Sequence, residues 1–591
     1  MIAAWTILVF GLPLACALLA QMRRDVPRLR TFSIASAALL LAVTAAPFVF
    51  PALRGWSVAG PSWLPGAAAL LRVDELSVVL PALAAGLWLF TLVVTPTLVF
   101  GPDRLRATAQ STLFTLAAFL TEHPLVLAFA WAGSVLALRG ALTRNPVAPI
   151  TAVTALATEH PARSVGPAGR DAKSSRPLAI DVTPQSTRRH AAGSYLSVST
   201  LLFGAGAVLI TRPTTPGSAL ELTALTLIVA GAMIRKGIFP AHAWIPALFE
   251  HGRLGPAILF SSPQVGTYAV AVLVVPRAPA ELLRIVAILS LFTGVYAAAQ
   301  AIVQRSARRA CAYLFVSQSA LVMAGLDCTS REALTGALVL WLASSISFAG
   351  LGRCVLVLEA RRGELDLGRH HGAYERKPLL ASAFLVLGLS YSGFPGTLGF
   401  VGEELLLGGA VDAFPWLGFL VVASSALIGI AVLRMYFSLF TGRSREAPIA
   451  LKVDESVGFV AIAAVLVLTG LAPAPLVASR QHASERLFTS RVTSAASVPA
   501  VDRGFGEPRG HRGPDMRRGD GADGVRALAA YASSRSSPEP RRQKAPLDGP
   551  ERPSPSAIVT NERATSSRPR RPTRRPPSSG SSRPSARWRR A

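Results

Sequence analysis

The stretch AGAMIRKGIFPAHAWIP, residues 230–246, places the adjacent cations Arg235 and Lys236 four and five residues before Pro240, inside an apolar run. Inserting a charged side chain into a membrane span costs at least about 2.5 kcal/mol, so such a residue is a candidate functional residue by default. Proline removes a helical hydrogen bond and clashes with the preceding turn. At membrane depth such a break is tolerated only where protein or a water-filled cavity satisfies the freed backbone groups. The stretch therefore predicts a broken transmembrane helix with charge beside the break.

A second stretch, SYSGFPGTLGFVGEELLL at 390–407, repeats this arrangement with the opposite charge: Glu403 and Glu404 follow a Gly/Pro break. Two interrupted helices, five spans apart, are typical of an inverted-repeat transporter with a pathway at the membrane midplane. The alternative is that the cations reach an interface along their aliphatic stems while the prolines merely kink packed helices. Glu404 faces elsewhere on its helix and is interpreted as a solvated neighbour of Glu403.

The composition supports a lipid environment, because 51% of the residues are hydrophobic and only 16% are charged, against about 25% charged in soluble proteins. Mean hydropathy is +0.43, and the apolar runs approach the ~20 residues that a helix needs to cross the bilayer. The sequence predicts an all-α membrane protein with about 14 transmembrane helices, of which spans 4–8 and 9–13 form two inverted five-helix repeats and helices 7 and 12 are broken. The predicted spans are 2–21, 31–53, 76–100, 108–121, 124–142, 193–211, 218–239, 253–275, 280–303, 309–326, 332–358, 378–408, 414–441 and 455–479.

These spans divide the chain into segments. An N-terminal three-helix membrane segment (1–107) precedes the first repeat (108–275), which contains a Pro/Arg/Ser/Thr-rich loop at 143–192 that is predicted to be disordered. The second repeat (280–441) and a last transmembrane helix (455–479) lead into a basic Arg/Pro-rich tail at 480–591, which is also predicted to be disordered and supplies about half of the net charge of +27.

Every second connection between spans is rich in arginine or lysine, starting with the loop that holds Arg23, Arg24, Arg28 and Arg30. The positive-inside rule places these basic loops in the cytoplasm and predicts a multi-pass protein of the bacterial inner membrane. The basic tail then lies on the other side of the membrane and contains almost no aromatic residues. We therefore expect no nucleic-acid partner, although an arm that binds nucleic acid or anionic lipid is the alternative interpretation.

Several chemistries lack their sequence signatures. The four cysteines, at 16, 311, 328 and 354, show no CxxC pair or metal-ligand spacing, and no glycine-rich nucleotide motif follows a predicted strand. We expect no catalytic residues, no metal and no cofactor in this chain.

Five stretches together resemble the antiporter-like proton-channel subunits of complex I (the membrane subunits of NADH-quinone oxidoreductase of the M, N and L type), Mrp antiporters and membrane-bound hydrogenases. They are RKGIFPAHAWIPALFEHGRLGPAILFSSPQVGTY (235–268), RVDELS (72–77), QRSARRACAYLFVSQSALVMAGL (304–326), FPGTLGFVGE (394–403) and VLRMYFSLFTG (432–442). The resemblance covers roughly residues 30–480. It implies a subunit that carries protons along a buried line of charged residues, coupled to redox chemistry on other chains.

The resemblance assigns that line only in part to this sequence. Counting back from Pro240, the lysine of the seventh helix falls on Arg235, with Lys236 beside it, and the acid of the twelfth falls on Glu403. Arginine effectively never deprotonates, so Arg235 is expected to act as a fixed charge and Lys236 as the proton-handling group. His242, whose ordinary pKa is near 6.5, is either a proton relay or a hydrogen-bonded structural residue.

Neutral residues stand at the other positions of the line. The Trp-Glu pair of the fifth helix is Trp131-Ala132 here, the lysine of the eighth helix falls on Gln264, and the eleventh helix has Ser344 and Phe348 where the family often has His and Lys. Gln264 is expected to line a water path together with His242. The predicted proton path is therefore Arg235, Lys236, His242, Gln264 and Glu403.

The leading hypothesis for function is a proton-translocating membrane subunit of a complex I-like or hydrogenase complex. Its expected partners are other membrane subunits, the lipid bilayer and protons, with sodium as an alternative ion. A second hypothesis is a non-pumping structural or assembly subunit that has lost the full line of charges. A third is a membrane subunit for cation/proton antiport or for uptake of inorganic carbon.

Overall fold

Helices dominate the structure, a computed structural model that describes residues 2–22, 25–61, 65, 69–96, 101–142, 185–213, 215–328, 330–413, 415–443 and 453–496. All of them lie in one compact unit, Met1–Asp502, and a second unit, Arg503–Ala591, falls outside the described residues. The α-helices are α1 (Ile2–Met22), α2 (Val26–Val49), α3 (Leu80–Val94), α4 (Pro102–Phe119), α5 (Pro124–Leu142), α6 (Gln185–Ile210), α7 (Ala219–Lys236), α8 (Trp244–His251), α9 (Leu254–Ser261), α10 (Val265–Ala269), α11 (Ala280–Val303), α12 (Ala307–Asp327), α13 (Arg331–Arg362), α14 (Pro378–Tyr391), α15 (Leu398–Ala413), α16 (Pro415–Phe440), α17 (Val453–Leu471) and α18 (Ala474–Ala496). A short antiparallel hairpin of β1 (Ser57–Ala59) and β2 (Ala69–Arg72) joins α2 to α3.

The described residues contain nine helices that are long and apolar enough to cross a membrane, or up to ten if one bent pair counts as a single span. Three shorter apolar helices, Leu80–Val94, Pro124–Arg139 and Pro378–Tyr391, fall below this length. The chain is thus a mostly helical, multi-pass membrane protein. The finer prediction of about fourteen spans in two inverted repeats remains a prediction.

The first predicted break is present after α7. The Ser218 hydroxyl caps the start of this helix by accepting from the backbone N–H of Glu221, and the helix ends at Gly237, whose φ is +70°. A side chain at Gly237 would also collide with Ile245, so glycine serves both the left-handed turn and the close packing. Pro240 follows, and α7 meets the segment from Ala241 to His251 at an angle of 44°.

The second predicted break separates α14 from α15, between Tyr391 and Leu398. The structure adds a third break, which the sequence did not predict, between α9 and α10 at residues 262–264. There Gln264 has φ +52° and is the one non-glycine residue with positive φ among those described. A stretch of π-helix (Val270–Val274) follows α10. Strained backbone and π-helical turns concentrate at functional sites.

Two predicted boundaries are wrong. Helix α6 begins at Gln185, inside the loop that was predicted to be disordered to 192, and α18 continues to Ala496, inside the tail that was predicted to be disordered from 480. In α18 the reason is burial of polar groups: the Arg480 guanidinium is 1% exposed and donates to the carbonyls of Leu76 (3.0 Å) and Glu75 (2.7 Å). Apolar periodicity cannot reveal such a helix. The rest of both segments, 143–184 and 497–591, lies outside the described residues.

Helices α12 and α13 form the centre of the bundle, since α12 is buried from Ala310 to Asp327 and α13 from Ala333 to Leu358 apart from Ile346. Basic residues, including Arg305, Arg308 and Arg309, gather where α12 begins; we call this end the basic face. The end of α12 at Asp327, the hairpin and α18 lie at the opposite face.

A buried ion pair between Arg361 and Glu455 joins α13 to α17 near the basic face, with side chains 6% and 2% exposed. We expect Glu455→Gln to destabilise the protein by about 3–5 kcal/mol, because removing one partner leaves the other charge buried. Thermal unfolding in detergent measures this. Asp454→Asn, at the exposed neighbouring position, is the matched control. Equal unfolding temperatures for the two variants would show that the pair does not hold α17.

Candidate functional site

Lys236, the last residue of α7, points into the protein and is 2% exposed. Its Nζ donates to Gln264 Oε1 at 3.1 Å and to the hydroxyl of Thr267 on α10. No carboxylate lies within 4.0 Å of Lys236 among the described residues. A buried ammonium group held by neutral oxygens can release its proton more readily than one in an ion pair.

Arg235 points to the other side of α7, toward α5. Its guanidinium lies between the rings of Trp131 and Phe260, 4.4 Å from each centroid, and its Nη2 donates to Ser134 Oγ at 2.9 Å. The structure therefore separates the two cations and places Lys236, not Arg235, on the side of Gln264. Arg235, one residue away, is packed against these aromatic rings, an arrangement that suits a cation.

Gln264 connects Lys236 to the central helix α13. Its Oε1 accepts from Lys236, and its Nε2 donates to Ser344 Oγ at 3.1 Å. The carbonyl of the preceding Pro263 accepts from Trp341 Nε1 at 3.0 Å, which fixes the break against α13. The positive φ of Gln264 is thus used to direct its amide toward both groups.

One turn farther along α13, Ser347 continues the polar contacts. Its hydroxyl donates to Ser390 Oγ on α14 at 3.2 Å, and both serines are buried. The carbonyl of Tyr391, the next residue, accepts from Gln318 Nε2 of α12 at 2.5 Å. The second break therefore lies directly beside the central pair of helices.

Glu403 lies at the far end of these contacts, in the second turn of α15. Its Oε1 accepts from Gln318 Nε2 at 3.3 Å and from Ser425 Oγ of α16 at 2.8 Å, and the residue is 9% exposed. The carboxylate packs against Gly393, where a Cβ atom would lie 1.6 Å from Oε2. Gly393, at φ +71°, is thus the residue that makes room for the acid.

These residues form a buried line of polar groups, which we call the polar line. In order, it consists of Lys236, Gln264, Ser344, Ser347, Ser390, Gln318 and Glu403. Two steps of the line are not direct hydrogen bonds between side chains. Ser344 and Ser347 are one turn apart on α13, and Ser390 is followed by Tyr391, whose carbonyl accepts from Gln318. Gln318 Oε1 has no hydrogen-bond partner in the described residues, and such buried atoms are usual sites for bound water. The arrangement joins a buried base to a buried acid by groups that can exchange protons.

Comparison with known proteins identifies the fold around this line. Residues 194–429, which contain every member of the polar line, match the family described as NADH:quinone oxidoreductase/Mrp antiporter, TM. Residues 194–429 are thus similar to the transmembrane domain of this family. The prediction made from the sequence motifs is thereby confirmed.

Individual relatives agree with this assignment. The chain is 32% identical to NADH-quinone oxidoreductase subunit 13 of Thermus thermophilus, over 34% of this chain and 45% of the relative. It is 31% identical to subunit 14 of the same organism, over 44% and 58%, and 28% identical to subunit M of Pseudomonas aeruginosa, over 44% and 54%. The chain spans about half the length of these curated relatives.

Solved structures show the same fold. A chain of the Mrp complex from Dietzia sp. superposes with a TM-score of 0.68 at 17% identity, over 84% of this chain and 99% of that chain. A chain of respiratory complex I from Thermus thermophilus gives 0.65 at 20% identity, over 82% and 99%. At these identities the likeness concerns the fold alone.

The neutral residues that stand where the family resemblance implies charge have different surroundings in this fold. Gln264 and Ser344 lie on the polar line, whereas Phe348 packs against the rings of Phe249, Phe315 and Tyr391. Glu122 is no substitute for the acid that Ala132 replaces, because it pairs at 2.9 Å with both Arg72 and Arg486 near the opposite face.

His242 lies in the short 3-10 turn after the first break, away from the polar line. Its Nε2 is 3.4 Å from the Tyr296 hydroxyl, and its ring stacks on Phe239. Of the predicted path residues, Lys236, Gln264 and Glu403 lie on the polar line, whereas Arg235 and His242 do not. Whether either of these takes part in proton movement stays a prediction.

The sequence did not point to Thr267, Gln318, Ser347, Ser390 or Ser425. The usable signal was a polar residue inside an apolar span, of which Gln318 in the stretch VSQSALVMAGL is the clearest. Hydroxyl residues also bond their own helix backbone and are common in membrane helices. The spacing of serine and threonine residues in the sequence therefore could not identify the polar line; the three-dimensional structure was needed.

We expect Gln264→Met to lower proton flux through the reconstituted protein by roughly tenfold, because methionine fills a similar volume but accepts only weakly from Lys236 and cannot donate to Ser344. Flux into proteoliposomes under an imposed membrane potential measures this. The matched control is Gln304→Leu, since Gln304 is partly buried at the basic face and bonds Gln300. Equal flux in the two variants would remove Gln264 from the path.

Proposed function

We propose that this chain is a proton-translocating membrane subunit of a complex I-like NADH-quinone oxidoreductase or a related respiratory or hydrogenase complex. The observation that carries the proposal is the polar line, which crosses the family's transmembrane domain from Lys236 to Glu403 through five buried neutral polar residues. Redox chemistry resides on other subunits, and this chain responds to it through charge and conformation.

Proton movement along this line needs groups that alternate between protonated and neutral forms. Lys236 and Glu403 are the two ionisable members, and the amide and hydroxyl groups between them pass protons by way of bound water. Arg235 stays charged and biases the proton affinity of Lys236 from across α7. A change in charge at one end is felt at the other because the intervening region excludes bulk water and screens poorly.

Finer features belong to the same proposal. The chain has about fourteen spans in two inverted five-helix repeats, with the α7 and α14–α15 breaks at equivalent positions, and it resides in the bacterial inner membrane with the basic face in the cytoplasm. Its partners are the neighbouring membrane subunits of such a complex, the surrounding lipid and protons.

The test is potential-driven proton flux in proteoliposomes that contain the purified chain, measured with sodium and again with choline as the external cation. We expect flux well above that of empty liposomes and equal in the two buffers. Flux that requires sodium would support the cation/proton antiport alternative. Flux equal to that of empty liposomes, both for the chain alone and for its purified complex, would overturn the proposal.

A second candidate function is a structural subunit that does not pump. The neutral residues Gln264, Ser344 and Phe348, at positions where the family resemblance implies charge, favour it. In that case the whole complex would assemble and translocate protons equally well with Lys236→Met and Glu403→Gln in this chain.

A further inference from the structure

Arg353, in the last third of α13, is a buried arginine that lies between Ser347 of the polar line and the basic face. The residue is 1% exposed, and no carboxylate oxygen lies within 4.0 Å of its guanidinium group in the part of the chain that the structure describes. Arginine stays charged in proteins, and an unpaired charge is costly to bury in a membrane domain. Arg353 therefore calls for an explanation in terms of function.

Three hydrogen bonds hold the guanidinium group of Arg353, and they reach two other helices. Nη1 donates to the hydroxyl of Thr95 at 2.9 Å and Nη2 donates to the hydroxyl of Thr91 at 3.0 Å, both at the end of α3. Nη2 also donates to the carbonyl of Gly255 at 3.0 Å, in the first turn of α9. The planar fork of arginine suits this set of acceptors, whereas lysine offers a single nitrogen. Arg353 thus links α13 to α3 and to α9 at once.

The bond to Gly255 belongs to a close interface between α9 and α13. A Cβ atom at Gly255 would lie 3.3 Å from Nη1 of Arg353, and a Cβ atom at Gly352 would lie 2.7 Å from Cδ1 of Ile258. Small residues at such positions let two membrane helices approach closely. The first turn of α9 is therefore fixed to α13 by packing and by the guanidinium group together.

Helix α9 is fixed to α13 at its other end as well. The carbonyl of Pro263 accepts from Trp341 Nε1 at 3.0 Å, and Gln264 Nε2 donates to Ser344 Oγ at 3.1 Å. Twelve residues separate Trp341 from Arg353, so the two attachment points lie about 18 Å apart along α13. Two separated points determine both the position and the tilt of α9. They therefore determine where the third break lies.

We propose that Arg353, anchored by the two threonines at the end of α3, is a positioning residue for Gln264. By holding the first turn of α9 against α13, it fixes the third break. There Gln264 has a φ of +52°, a strained conformation that persists only where the surrounding structure fixes it. Gln264 can then accept from Lys236 while it donates to Ser344. Arg353 itself carries no proton, and this inference rests on the proposed function.

A double-variant cycle between Arg353 and Gln264 tests this role, with proton flux into proteoliposomes under an imposed membrane potential as the measurement. We expect Arg353→Met to lower flux roughly fivefold, because Gln264 is no longer held in register with Lys236. In the Gln264→Met background the same substitution should change flux by less than about twofold, since the hydrogen bonds that Arg353 positions are already absent. A residue that only stabilises the fold would lower flux by the same factor in both backgrounds, and that result would overturn the inference.

Replacing both anchors, Thr91→Val together with Thr95→Val, is a second test that leaves the charge of Arg353 in place. Valine has nearly the shape of threonine but cannot accept from the guanidinium group, so we expect flux to fall roughly threefold. The matched control is Thr44→Val together with Thr115→Val, because these buried hydroxyls bond only the backbone of their own helices. Equal flux in the two double variants would contradict the proposed role.

Thermal unfolding of the same preparations separates misfolding from loss of position. Arg353→Met removes a buried charge without an acid partner and keeps an aliphatic side chain, so the variant should remain folded. If it does not fold, the threonine variants decide. Wild-type flux equal to that of empty liposomes, both for the chain alone and for its purified complex, would overturn the proposed function instead, which keeps the two failures distinguishable.

Discussion

Lys236→Met should reduce potential-driven proton flux by roughly 10- to 100-fold, the largest effect that we expect from a single substitution. Methionine keeps the length and apolar stem of lysine but removes the one ionisable group at the α7 end of the polar line. Its neighbours Gln264 and Thr267, which hold Nζ, would remain in place. The proton would then lose its first binding point at the break.

The matched control is Lys377→Met. Lys377 is also buried, at 6% exposure, but it lies just before α14 and away from the polar line. Flux should be close to wild type in this variant. If both lysine variants lost flux equally, the effect would reflect folding or insertion; if neither did, Lys236 would not carry protons.

Glu403→Gln should lower flux by a similar factor. Glutamine keeps the size of the side chain that Gly393 accommodates and can still bond Gln318 and Ser425, so the packing around α15 should be preserved. It cannot ionise, so the line would end in a group that neither takes up nor releases a proton. Proteoliposome flux and thermal unfolding, measured on the same preparations, would show a loss of flux without a loss of stability.

Glu404→Gln is the control for this change. The two acids are adjacent in sequence, yet Glu403 is buried and Glu404 is exposed. The control removes the same charge from the same helix and should leave flux unchanged. Loss of flux in Glu404→Gln but not in Glu403→Gln would show that the proton path runs along the face of α15 that carries Glu404, and would contradict the role of Glu403.

The positions of charge and of the helix breaks could be predicted from the sequence because both are expensive in a membrane. Lys236 and Glu403 stand out against apolar runs, and Pro240 and Gly393 mark where helices must end. The chemistry of the two side chains also favoured Lys236 over Arg235 as the proton-handling group. The sequence could not show which way each side chain points from α7, and the structure places Arg235 against Trp131 and Lys236 against Gln264.

Three members of the polar line, Gln318, Ser347 and Ser390, could not be predicted, since they are ordinary polar residues brought together by three different helices, α12, α13 and α14. Gln318 and Tyr391 are 73 positions apart in sequence and meet only because α12 packs beside the second break. Helix α18 was missed for a related reason. Its buried Arg480 and its charged surface look like solvated tail in the sequence, and the carbonyl partners at Glu75 and Leu76 lie about 400 residues earlier.

The central claim is that Lys236 and Glu403 act in series on one line, and a double-variant cycle tests it most directly. Proton flux under an imposed membrane potential is measured for wild type, Lys236→Met, Glu403→Gln and the double variant, all reconstituted at equal density. In a series arrangement each single variant blocks the line. The flux of the double variant should therefore be no lower than that of the single variant with the lower flux. If each single variant lost only a share of the flux and the double variant lost the sum of both shares, protons would cross by separate routes and the single line would be contradicted.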